Sequence, residues 1–211
     1  MKRREALKSI TYTTGMAMSA SAFMSLLQSC QSKDPLTWTP EFMMEEEAYV
    51  VEKIVDMVIP RGDSVGALDL NIHIFLDSYM KECYTEGDVK KFRSGINVFM
   101  ARFQESVGSV FSEASKEEKE KFIQDIYSSY NERAQELYVW IDDDRTPDAP
   151  QPGEEDEYNL VKFLIDIRQT TINAFFTTEK VGKEMLQYVP IPGKYKGCVE
   201  YNGSDPVWAL S

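Results

Sequence analysis

One histidine, His73, and three cysteines, Cys30, Cys83 and Cys198, are the whole stock of imidazole and thiol in this chain of 211 residues. A histidine-based metal site or a nucleophile–base triad has little material to work with here. Three scattered cysteines cannot supply the usual four-thiolate cluster site, and there is neither a C-x-x-C-H for covalent haem nor a G-x-G-x-x-G turn for a dinucleotide. His73 sits early in a segment with an apolar stripe, so a structural or exposed imidazole is expected there rather than a proton-transfer group. Carboxylates are plentiful instead. Asp142-Asp143-Asp144 with Asp148 and Glu154 to Glu157 could ligate calcium through oxygen, but they lack the spacing of a calcium loop and read as a solvated acidic lid. A glycoside-cleaving pair could be drawn from so many acids almost at will, so no pair stands out. Arg61-Gly62-Asp63 reads as a turn. The expectation is a chain with no catalytic, cofactor-binding or metal-ligating residue of its own.

The chemistry that is present lies at the two ends. Arg3 and Arg4 precede a run from Ser9 to Ser32 without a single charge, and the run reaches a small residue and Cys30. Paired arginines, a weakly apolar segment and that cysteine read as a twin-arginine export signal of bacterial lipoprotein type, with Cys30 as the lipidation candidate. The run is long enough to cross a bilayer, but its many hydroxyls would each need a partner inside it, so a cleaved signal is favoured over a retained span. A lipid on Cys30 would tether the mature chain to a membrane without crossing it, in the bacterial periplasm or cell envelope. With Cys30 so used, Cys83 and Cys198 remain as an even pair, and in an oxidising compartment they are expected to form a disulfide; two unpaired buried thiols are the alternative. At the other end, Tyr188-Val189-Pro190-Ile191-Pro192-Gly193-Lys194-Tyr195-Lys196-Gly197-Cys198 is a stiff, extended block, followed by Tyr201 and Trp208. Rigid aromatics lose little entropy on docking, so Tyr188, Pro190, Pro192, Tyr195 and Trp208 are candidates for a partner interface, with packing across the chain's own helices as the alternative.

Composition narrows the partners. The formal net charge is −12. The first 29 residues carry four cations against one acid, so the body without them falls to −15. Such a body repels phosphate backbones, which makes nucleic acid an improbable partner. The remaining 182 residues, in a chain with 43% apolar and 12% aromatic content, suit one domain with a core.

The elements that position these groups are helical. Thr39-Pro40-Glu41 supplies a cap, a first-turn proline and an acid, and predicts a helix from Pro40 through Val51, Ile54, Val55, Val58 and Ile59 to a stop at Pro60. A loop through Arg61 to Gly66 follows. A second helix is read from one apolar stripe of Ile72, Phe75, Leu76, Tyr79, Met80 and Cys83. A third, opening behind Asp88, carries Val89, Phe92, Ile96, Phe99, Met100 and Phe103. Ser115 and Glu118 have the form of a capping box ahead of a fourth helix of more than five turns. From Asp142 to Glu157 eight acids, one arginine and three prolines predict a solvated loop. A fifth helix carries Leu160 to Phe176, and a short sixth follows Thr178-Glu179. The architecture predicted is all-α: an irregular bundle of about five to six helices with an extended Pro/Gly/aromatic tail. The domain plan is a signal over residues 1–29, a tether over 30–38 and one helical domain over 39–211, with the acidic loop at 142–157.

Several blocks together resemble a known family. They are Arg3-Arg4-Glu5-Ala6-Leu7-Lys8, Thr37-Trp38-Thr39-Pro40, Ile59-Pro60-Arg61, Lys81-Glu82-Cys83-Tyr84, Thr170-Thr171-Ile172 with Phe175-Phe176-Thr177-Thr178-Glu179, and, most specific, Pro190-Ile191-Pro192-Gly193-Lys194-Tyr195-Lys196-Gly197-Cys198. The chain resembles the third, small subunit of gluconate 2-dehydrogenase and its relatives, departing from it at Val65 and in the long acidic insertion. The resemblance implies an accessory subunit rather than a catalyst: a helical companion of a large flavin-dependent sugar or polyol dehydrogenase, with FAD in that large subunit and haem c in a cytochrome subunit. It also implies that the flavoprotein is exported folded on this chain's twin-arginine signal. The rival expectation is a lipid-anchored helical module that binds a glycan or peptide in a pocket assembled from residues such as Tyr138, Trp140 and Tyr195.

Overall fold

The computed structural model describes residues 36–141 and 155–187, with side chains to residue 129 in the first stretch, and the single positions 193, 198, 200, 203 and 206. Within them run six α-helices: α1 Glu45–Val58, α2 Ile72–Cys83, α3 Glu86–Val107, α4 Lys116–Ile141, α5 Glu155–Phe176 and α6 Glu179–Glu184. Two 3₁₀ turns, Leu68–Leu70 and Phe111–Glu113, precede α2 and α4. The described residues are all-α, as the sequence pattern predicts, and no helix among them is long and apolar enough to cross a membrane.

Three helix starts differ from the sequence reading, each for a local reason. Helix α1 opens at Glu45 rather than Pro40, because the amides of Glu41, Phe42 and Met43 are claimed by a side chain of α2 and are not free to enter a helical turn. Helix α3 opens at Glu86. Thr85 is its cap and Asp88 the third residue of the capping box: the Asp88 amide donates to Thr85 Oγ1 at 3.3 Å, and the Thr85 amide donates back to Asp88 at 3.0 Å. Helix α5 starts inside the stretch expected to be loop, at Glu155. Glu155, Asp156 and Glu157 form its first turn, where the exposed amides of a helix start favour negative charge. The remaining ends follow the pattern. Ser115 and Glu118 box the start of α4, Thr178 caps α6, and Gly108, at φ 84°, closes α3 in the left-handed region that glycine tolerates.

Helix α5 is central and touches every other helix. It is flush against α3, where Gly95 lets the two backbones meet: a methyl group there would fall 2.6 Å from Phe163 Cβ and overlap the Asn159 carbonyl oxygen. Around that crossing lies a phenylalanine cluster. Phe99 packs against Phe111, Phe122 and Phe163 at 5.7, 5.3 and 6.0 Å between ring centres, and Phe103 lies 4.8 Å from Phe111 and 5.0 Å from Phe122. Most of these pairs are edge-to-face, the arrangement that adds quadrupole attraction to apolar burial. The Tyr127 hydroxyl donates to the Leu164 carbonyl at 2.9 Å and so ties α4 to α5.

The stripe expected on α2 is buried along one edge and exposed along the other. Ile72, Leu76 and Met80 are buried together with His73 and Asp77, whereas the adjoining Phe75, Tyr79 and Cys83 are exposed. Tyr79 still meets Tyr84 edge-on at 6.2 Å between ring centres.

Candidate functional site

The segment that joins the N-terminal region to the bundle, residues 36–44, is irregular yet tightly held. Asp77, 1% exposed on α2, receives three successive backbone amides: Glu41 at 2.6 Å, Met43 at 2.8 Å, and Phe42 at 3.2 and 3.3 Å to its two oxygens. A carboxylate in a nest of amides makes charge-assisted bonds, each stronger than a neutral one. Glu47, buried in the first turn of α1, does the matching work one step later. It accepts the Met44 amide at 2.9 Å and the Arg93 guanidinium from α3 at 2.7 and 2.8 Å. Arg93 also donates to the Phe42 carbonyl at 3.3 Å and lies 5.6 Å over the Phe42 ring. Outside them Lys81 and Glu41 pair at 2.6 Å; each favours the other's charged form, so the Glu41 carboxyl is held below and the Lys81 amine above its ordinary value.

At the start of this segment stands Trp38. Its indole N–H donates to Glu52 of α1 at 3.0 Å, and its ring meets His73 of α2 edge-on at 5.3 Å. His73 is 6% exposed and its Nδ1 is buried with no hydrogen-bond partner. Burial pushes the imidazole below its usual range; Glu52 opposes that and Lys53 adds to it. The imidazole is thus buried between α1 and α2 rather than exposed.

Two further places carry polar chemistry. Where α2, α3 and α5 meet, Tyr84 is pushed up first by burial and then by Asp166, Tyr79 and Asp88. Asp166 is itself raised by burial against the pull of Lys162, with which it pairs at 3.0 Å. Between the C-terminal half of α3 and α4 runs an open cleft of about 700 Å³ lined by Arg102, Ser106, Phe122, Asp125 and Ile126 among others. Neither place assembles a nucleophile with a base. Among the described residues no three His, Cys, Asp or Glu come together to hold a metal.

Of the residues singled out in the sequence, Arg3, Arg4, Cys30, Tyr188, Pro190, Pro192, Tyr195 and Trp208 lie outside the described residues, as do the side chains of Tyr138 and Trp140. Cys83 and Cys198 are free and exposed, so the disulfide expected between them is not made in this structure, and neither is the buried thiol of the alternative. Cys83 is the last residue of α2 and is exposed there. Arg61-Gly62-Asp63 is a turn, closed by the Gly62 amide donating to the Ser64 carbonyl at 3.2 Å and by Arg61 pairing with Asp69 at 3.1 Å. Asp77, Glu47 and Arg93 escaped the sequence reading. Their signal was an isolated charge inside an apolar row, Asp77 beside Leu76 and Arg93 beside Phe92, which is costly unless something meets it.

Residues 45–193 match the family model described as gluconate 2-dehydrogenase subunit 3. The chain belongs to that family. The matched span takes in all six helices and reaches Gly193. No curated protein and no solved structure gives a match of significance. The gluconate 2-dehydrogenase subunit 3 fold is thus, in this member, a helical scaffold whose N-terminal entry is fixed at Trp38, Asp77 and Glu47.

Proposed function

We propose that this chain is the non-catalytic small subunit of a flavin-dependent sugar or polyol dehydrogenase, which it carries out of the cytoplasm on its twin-arginine signal and then stabilises. The observation that carries the reading is the family match over the whole bundle. The use made of the interior supports it. Of the five buried polar side chains among the described residues, three tie separate segments together: Asp77 accepts the amides of the entry segment, Glu47 accepts the Met44 amide and Arg93, and Lys119 donates to the Tyr49 hydroxyl at 2.8 Å, while Thr171 donates to the Ile167 carbonyl of its own helix at 2.7 Å. In this reading the FAD belongs to the large subunit and haem c to a cytochrome subunit that takes the electrons. Arg3 and Arg4 address the complex to the periplasm, and Cys30 anchors it to the membrane through a lipid.

The contact with the large subunit is assigned to the tail, at Tyr188, Pro190, Pro192, Tyr195 and Trp208, together with Phe176 and Met185, large apolar side chains left exposed at the ends of α5 and α6. Apolar groups of that size on a surface mark contact sites, and aromatic anchors dominate such interfaces. The test is export. With Arg3 and Arg4 both changed to lysine, the flavoprotein should stay in the cytoplasm along with this chain; a flavoprotein that still reaches the periplasm would refute the escort role.

A further inference from the structure

The one imidazole of the chain lies under the first anchor of the entry segment. His73 is the second residue of α2, buried between α1 and α2, and the Trp38 ring meets it edge-on. Its Nδ1 is buried without a hydrogen-bond partner, so the site accepts a neutral ring and offers no acceptor to a second N–H. The amides at a helix start also disfavour a cation in the first turn. Burial holds the imidazole below its usual range accordingly.

The charges that act on His73 come from α1, where Glu52 attracts an imidazolium and Lys53 repels it. Asp77, one turn on along α2, is filled by the three amides of the entry, and Asp69, before α2, is taken by Arg61 and the Gly66 amide. The α5 charges Asp166 and Arg168 act on Tyr84 and Tyr127 instead. Residues 36–40 carry no charge. Glu52 itself is shared: one oxygen accepts the Trp38 indole at 3.0 Å and the other accepts Lys53 at 3.2 Å. An imidazolium drawn to Glu52 therefore competes with the indole for its acceptor.

The two halves of the entry are held unequally. Residues 41–43 are fixed by the Asp77 carboxylate. Among the described residues, the bond from Trp38 to Glu52 is the one hydrogen bond made by residues 36–40, backed by apolar packing of Leu36 and Trp38 against the core. A unit held by so few contacts can open by itself while the bundle stays folded.

We propose that His73 and Trp38 form a pH-sensitive latch: a neutral His73 keeps Trp38 seated on Glu52, and protonation of His73 releases Trp38 with residues 36–40, while Asp77 keeps its hold on residues 41–43. Release adds five residues to the chain that leads into the bundle, up to about 17 Å when extended. The latch does not rest on the export or accessory-subunit reading. Its sign follows from linkage, because the form that binds the proton more readily is the open one and acid favours it. If the closed form excludes the proton and the open form titrates near 6.5, the opening constant rises by at most about thirtyfold from about pH 7.5 to about pH 5.

The test uses the chain from residue 30 with Cys30→Ser, Trp140→Phe and Trp208→Phe, so that Trp38 is the one indole, and with no tag to add a histidine. Exchange of the Trp38 indole N–H, followed by NMR and divided by the rate for free tryptophan at the same pH, reads the opening. Protection should fall roughly tenfold from about pH 7.5 to about pH 5, with the protection of Phe42 and Met43 changing by less than about twofold. In His73→Gln the pH dependence of the indole should vanish. A second readout does not depend on that variant folding. The ring protons of His73, the one histidine, should titrate below about 6.5, and Trp38→Ala should move that midpoint upward toward the ordinary value. Indole protection that ignores pH, the same loss in His73→Gln, an equal loss at Phe42 and Met43, or a His73 midpoint indifferent to Trp38→Ala would each overturn the latch.

Discussion

Replacing Asp77 with alanine should release the entry segment from the bundle. The carboxylate accepts three backbone amides, and the Met43 amide among them is buried beyond the reach of water. A buried donor left without its acceptor costs about 1–3 kcal/mol, and bonds to a charged group lie toward the upper end of that range. The amides of Glu41 and Phe42 are only partly buried and can be rewetted, so they lose the smaller difference between a charged acceptor and water. Counting Met43 in full and the other two in part, the loss is about 3–4 kcal/mol. Asp77→Asn should cost about half as much, since one oxygen can still accept while the amide nitrogen faces a donor. Urea unfolding of the purified chain followed by circular dichroism should show both midpoints lowered with the slope unchanged. Amide hydrogen exchange should localise the effect, with the protection of residues 41–43 falling by far more than that of α3 and α5. A loss below about 1 kcal/mol in Asp77→Ala, or unaltered protection at Met43, would refute the claim that this one carboxylate holds the entry.

Further expectations rest on single contacts. Gly95→Ala forces a methyl group into the Asn159 backbone and Phe163, and should destabilise the bundle by about 1–3 kcal/mol in the same unfolding assay. Thr85→Ala removes the cap of α3 and should cost about 1 kcal/mol. His73 titrates below its unfolded value because it is buried, so the unfolded chain binds the proton more readily, and the stability linked to His73 falls as pH drops below about 6.5. Asp166, raised by burial, works in the opposite direction. The check is therefore the difference between wild type and His73→Gln, which should shrink as the pH is taken from about 7 to about 5; a difference that does not change with pH would contradict it.

How far the sequence discloses this molecule depends on the range of the interactions involved. Elements fixed by neighbours in the chain are legible: the Ser115 and Glu118 capping box, the Pro60 stop, the Thr178 cap and the helical period of α5 all fall where the pattern places them. The start of α1 was not legible, because Thr39-Pro40-Glu41 is a good local helix signal that a long-range bond from Asp77 overrides. The acids at Glu155 to Glu157 read as part of a solvated run and are instead the first turn of a helix, since negative charge suits both settings. The exposure of Phe75 and Tyr79 on α2 was hidden for a related reason. They look like core in a list of apolar positions, and only the packing of Ile72, Leu76 and Met80 shows that they lie at its edge. The family was legible from its blocks of residues, and the match over residues 45–193 agrees with them. The interface candidates Tyr188, Pro190, Pro192, Tyr195 and Trp208 lie outside the described residues.

The most direct test of the account is gentle isolation of the tagged mature chain from its native host envelope, with an absorbance spectrum of whatever comes with it. A flavin band that belongs to a separate, larger polypeptide and is lost when that polypeptide is stripped away is the result predicted. Flavin, haem or sugar-oxidising turnover remaining with this chain alone would contradict the claim that it is the accessory subunit and not the catalyst.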